Sequence, residues 1–197
     1  MNRFVLYNFE LEDAREFKKA SKELFPETAV TLGDEHSLLP PAWIDFIQHS
    51  PEWILIFAPI AKYAVDKLPD LLTSYYFEKG MDKLHKGKKA EELVGDSKRG
   101  EEIVKLLSKP NVKKVALGIA MENGSEIRYF RDEMSPRPIE EDLLMIATIA
   151  GQAEAAVLAA NETGVTTYTL EINDSGFLLR YRKGETLCQL PVIFTEE

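Results

Sequence analysis

Asp34, Glu35 and His36 are consecutive. Two carboxylates beside an imidazole can hold a divalent cation or run general acid–base chemistry, because histidine titrates close to neutrality. The other histidines, His49 and His85, have no second histidine or cysteine at ligand spacing. A solvated loop in an acidic protein explains the triplet more simply, so no catalytic residue and no metal ligand is assigned. Cys188 is the single cysteine. Its neighbours Leu187, Gln189 and Leu190 place it on a strand without a nucleophile signature, which is the setting of a structural thiol. No glycine-rich phosphate loop occurs, and no cofactor is expected.

The remaining candidates are binding residues. Arg180 and Arg182 are two apart, so a strand places both on one face. Such a pair suits carboxylates, which a guanidinium grips with two parallel hydrogen bonds, and Arg128 is a further candidate. An exposed sheet face is the plainer reading. Asp132 and Glu133 lie between Arg131 and Arg137 and precede Glu140, Glu141 and Asp142, making a dense charged corner. Paired carboxylates can bind a divalent ion, but acidic residues at a helix start also complement its dipole. Lys83 and Lys86 belong to a lysine- and aromatic-bearing stretch, 53–89, within residues 51–110, the least acidic part of the chain. Such a stretch can lie on a membrane surface or pack on a partner, or simply cover a sheet.

These residues need elements to hold them. Phe4–Phe9 reads as a strand, and Leu11–Phe25 carries apolar residues at helical spacing up to Pro26. Thr28–Leu32 is a second strand, giving a strand–helix–strand unit. Trp43, Ile44, Phe46 and Ile47 suggest a short helix before Ser50-Pro51, and Trp53–Phe57 a strand. Helical patterns follow over 60–68, 70–84 and 90–107, the last divided at Gly95-Asp96-Ser97. Val112–Met121 alternates, with Val115, Leu117, Ile119 and Met121 on one side. Asn123-Gly124 signals a type I′ hairpin turn, and Glu126–Arg131 returns. Pro138–Asn161 is acidic at its start and Ala-rich beyond it. It reads as a helix capped by Ser135 and stopped near Gly164. Three strands end the chain: Val165–Ile172, Phe177–Arg182 and Thr186–Phe194. Pro191 lacks an amide donor, so the last should be an edge strand or bulged.

The expected fold class is α+β: a mostly antiparallel C-terminal sheet packed by a central Ala-rich helix, with an N-terminal strand–helix–strand unit and a helical middle layer. The 197 residues are expected to form one domain, in which 40–108 is either a helical layer or a helical insertion. Apolar residues at 45% and charged residues at 29% fit a globular chain. The net charge of −9 argues against nucleic acid as a partner, which needs clustered lysine and arginine. The N-terminus does not read as a secretory signal, and a lone cysteine suits a reducing cytoplasm. The leading expectation is a non-enzymatic protein-interaction module of inhibitor, immunity or regulatory type. Its acidity favours encounter with a basic protein partner. Peripheral association with a membrane surface through 53–89 is the alternative. A small-molecule enzyme using Asp34, Glu35 and His36 is third.

Overall fold

The computed structural model describes residues 2–33, 42–49, 59, 63, 97–109, 112–132, 134–135, 137–173 and 176–192. Asp34, Glu35, His36, Lys83, Lys86 and Glu133 lie outside this set, as do the elements expected over 53–57 and 70–84. The described strands are β1 (Arg3–Tyr7), β2 (Ala29–Gly33), β3 (Trp43–His49), β4 (Lys114–Ala120), β5 (Glu126–Asp132), β6 (Thr167–Asn173), β7 (Gly176–Lys183) and β8 (Thr186–Val192). The helices are α1 (Leu11–Leu24), α2 (Ser97–Leu107) and α3 (Ile139–Ala160).

All eight strands join one sheet in the order β2-β1-β3-β4-β5-β6-β7-β8. The class is α+β, but the sheet is mixed rather than a separate antiparallel unit. β1/β2, β3/β4 and β5/β6 are parallel, and the other four pairs are antiparallel. Parallel neighbours cannot be joined by a tight turn. Each parallel pair is accordingly linked by a long connection containing α1, α2 or α3.

Register identifies the covered side. Phe4, Phe46, Leu117, Tyr129, Leu170 and Leu179 align across the sheet and share one face. With Leu6, Ile44, Val115, Ile119, Ile127, Tyr168 and Phe177 they pack into one core with buried residues of all three helices. Phe4 stacks on Phe46 with ring centroids 4.1 Å apart and meets Phe17 of α1 edge-on. The three described helices therefore lie on the same side. β1 and β5 run in the same direction, yet their crossovers step to opposite sides in the sheet. With both helices on one face, the two crossovers must be of opposite hand, and one departs from the usual right-handed rule.

Local details follow from the sequence, with corrections. α1 buries Ala14, Phe17, Ser21 and Leu24, while Leu11 at its first turn faces outward. Ser21 is tolerated inside because its hydroxyl donates to the Lys18 carbonyl at 3.2 Å. The Trp43–Ile47 stretch is strand, not helix. Ile44 to Gln48 are all buried, as in a central strand covered on both faces, so the period-2 alternation disappears. α3 starts after Pro138, which has no side-chain cap, instead of being capped by Ser135. It ends at Asn161 in the left-handed conformation, with φ 44°, ahead of Gly164. The β4–β5 turn is not type I′, because only Gly124 has positive φ (82°) there. Gly124 N–H donates to Met121 and Met121 N–H to Ser125, the pattern of a type I turn with a glycine bulge. Among the described residues, no helix is long and apolar enough to cross a membrane.

Candidate functional site

The other face of the sheet carries most of the charged strand residues. Strand alternation puts Val5, Tyr7, Trp43, Asp45, Ile47, Ala116, Gly118, Glu126, Arg128, Phe130, Thr169, Glu171, Arg180, Arg182 and Leu187 on it. At its centre β4 presents only Ala116, Gly118 and Ala120. That small-residue strip leaves room for the long side chains of β5 to lie across it.

Arg128 uses this room. Its Nη2 donates to Asp45 Oδ1 on β3, two strands away, across β4. Its Nε also lies 3.2 Å from Glu126 Oε1, close enough for an ion pair although not aligned as a hydrogen bond. A Cβ at position 118 would run into that Glu126 oxygen, so a larger residue there would require the carboxylate to move. Phe130 stands beside the guanidinium, with 5.5 Å from Arg128 Cζ to the ring centroid. Asp45 is 4% exposed. Burial opposes the charge on Arg128, but its hydrogen bond to Asp45 and the two carboxylates raise its pKa above the ordinary value.

Glu126 is the strained member. Burial raises its pKa above the ordinary 4.5; Arg128 offsets part of this and Asp45 adds to it. An acid whose pKa rises on folding destabilises the fold when ionised. The penalty is absent below the ordinary glutamate pKa, grows through the window up to the raised value, and is complete above it. Glu126→Gln is therefore expected to increase stability at pH 7 and to leave it unchanged in acid below pH 4.5. Urea unfolding at several pH values measures this, and an equal gain at every pH would contradict it.

Across β6, Arg180 aligns with Thr169 and, through it, with Arg128. Arg128 and Arg180 are thus two strands apart in one row, about 10 Å by strand spacing. Arg180 is ion-paired to Glu171 at 2.9 Å, both side chains partly exposed. Arg182 is exposed and, among the described residues, has no ion-pair partner. Phe130 at 53% and Leu187 at 54% exposure are the large apolar side chains standing out of this half of the face. Arg128, Arg180 and Arg182 lie on one face in different settings: Arg128 is committed internally, while Arg180 and Arg182 are accessible. Asp132 ends β5 opposite Lys114.

Three members of the charged corner at the start of α3, Arg131, Arg137 and Asp142, are engaged with one another. Asp142 is buried and accepts from Arg131 Nη1, with Arg137 Nε 3.8 Å from its other oxygen. Arg137 further donates to the Ile172 carbonyl at 3.2 Å. Burial, followed by a hydrogen bond to Asp142, keeps the Tyr129 phenol protonated well above its ordinary range. At the other end of α3, Glu162 accepts from Lys183 at 2.6 Å and from Tyr181 at 3.2 Å. Cys188 lies opposite Tyr181, on the helix-bearing face.

No group of three or more metal-ligating side chains occurs among the described residues. Sequence reasoning passed over Asp45, Glu126 and Gln48. Asp45 was signalled by its position inside the apolar run Trp43–Ile47, where a charge needs a partner. Gln48 is fully buried on the helix side, and neither amide atom finds a hydrogen-bond partner among the described residues. Comparison with protein-family models, curated proteins and solved structures finds no match for this chain.

Proposed function

We propose that this protein is a non-enzymatic interaction module of inhibitor, immunity or regulatory type, docking a protein partner on the face of β5–β8 opposite the three described helices. The observation that carries this reading is that exposed Phe130 and Leu187 share one sheet face with accessible Arg180 and Arg182, Leu187 lying directly opposite Arg182. Aromatic and arginine side chains are the residue types that anchor protein interfaces. The net charge of −9 would speed encounter with a basic partner, while Arg180 and Arg182 would receive carboxylates at the contact itself.

The test compares the wild-type chain with Phe130→Asp/Arg182→Glu in affinity capture from native lysate at low and physiological salt. Both positions are exposed, so the variant should fold normally, as circular dichroism would verify. A protein retained by the wild type and reduced at least tenfold by the variant supports the reading. Identical captured proteins, or none from either chain, would overturn it.

A further inference from the structure

Among the described residues β8 forms one edge of the sheet, and its residues, Thr186 to Val192, include no charged side chain. Edge strands expose unpaired amides and carbonyls that template further pairing, and natural proteins blunt them with lysine, proline or bulges. On β8 the one such device is Pro191. Its position shows which groups face outward. β7 and β8 are joined by the two-residue turn Gly184-Glu185, with Gly184 at φ 62°, and Lys183 pairs with Thr186. The pair flanking a two-residue turn is hydrogen-bonded, and bonded pairs alternate from there. Thr186, Cys188, Leu190 and Val192 therefore turn their backbone groups to β7. Leu187, Gln189 and Pro191 turn theirs outward. Pro191 costs the ladder nothing, because its missing N–H would have pointed away from β7. Only Leu187 and Gln189 offer an outward donor and acceptor together, and Cys188 lies midway between them.

We propose that two copies of this chain pair through β8 in an antiparallel, two-fold arrangement centred on Cys188, joining their sheets into one. A two-fold at this residue sets Leu187 of each copy opposite Gln189 of the other and satisfies every outward donor and acceptor of these residues. Centring on Gln189 would place Leu187 opposite Pro191, which has no N–H. Centring on Leu187 would place Gln189 opposite the turn residue Glu185. Shifting the centre to lie between residues would set outward groups against inward ones. The edge is thus self-complementary in one register, as a closed isologous contact requires. Despite the net charge of −9, no charged side chain on β8 opposes a second copy. In this register Cys188 faces its counterpart as a non-hydrogen-bonded pair, with Cα atoms about 4.5 Å apart, inside the range of about 4.4–6.8 Å that a disulfide spans.

Cys188 serves as the probe. Sedimentation velocity under reducing conditions measures association, and oxidation with diamide measures proximity. Each disulfide formed gives two electrons and two protons to the reagent's azo bond. The wild type is expected to show a concentration-dependent dimer and rapid cross-linking. Gln189→Pro removes an outward N–H from each copy without touching the β7 ladder. It should shift the monomer–dimer midpoint roughly tenfold or more and slow the cross-link equally. Moving the thiol, in Cys188→Ser/Leu187→Cys and Cys188→Ser/Gln189→Cys, should slow cross-linking, because each new cysteine faces the other position rather than itself. A chain that stays monomeric at high micromolar concentration, a dimer indifferent to Gln189→Pro, or equal cross-linking from all three positions would overturn the proposal.

Discussion

Asp142→Ala is expected to destabilise the fold by about 3–5 kcal/mol, the usual cost of removing one partner from a buried charge cluster. The carboxylate is the common acceptor for Arg131 and for the Tyr129 phenol, with Arg137 close by. Its loss strands two guanidinium groups whose side chains are largely buried. Denaturant unfolding should show a lower midpoint with an unchanged slope. Asp142→Asn keeps the shape and loses the charge, so it should fall between. A second readout is independent of stability: burial and Asp142 both raise Tyr129, so its phenol should titrate at lower pH in the Ala variant. A cost under about 1 kcal/mol, the level of an exposed pair, would show that the cluster is not locking α3 to β5.

Arg128→Met should cost a similar amount, about 3–5 kcal/mol, because it leaves the buried Asp45 without a cation and beside Glu126. Adding Asp45→Leu and Glu126→Gln should recover most of the loss. A buried ion pair replaced by apolar groups of similar volume is often neutral or stabilising, whereas a half-removed one is not. The pattern separates two roles. Recovery of stability together with unchanged partner capture would make Arg128 a structural bridge and leave Arg180 and Arg182 as the contact residues. Recovery of stability with loss of capture would place Arg128 in the interface.

Much of the fold was legible where one face of an element is wet. α1 and β5 show their periods because Glu12, Lys18 and Lys19 of the one and Arg128 and Phe130 of the other stay outside the helix-side core. Pro191 marked an edge because it cannot donate. β3 was misread for the opposite reason: with both faces covered, Trp43–Gln48 has no alternation to read, and β-branched content alone did not decide it. The mixed sheet was hidden because neighbours in space are distant in sequence. Nothing local in Trp43–His49 says that it pairs with Lys114–Ala120. The same gap concealed the Arg128–Asp45 bridge. The arginines could be assigned to strand faces, but a partner two strands away on an element read as helix could not be.

The β3–β4 pairing carries a consequence for how the chain folds. It is the seam between residues 3–49, which build β1, β2 and β3, and residues 114–192, which build the other five strands. Everything on the C-terminal side except the α3 crossover closes through turns of a few residues, so those contacts form locally and fast. The seam must first bring together segments separated by the longest connection in the chain, and loop closure grows costlier by about 0.6 kcal/mol with each doubling of length. Assembly is thus expected to be limited by the meeting of two partly formed half-sheets. The Arg128–Asp45 bridge, which spans that seam, is an interaction gained only after they meet.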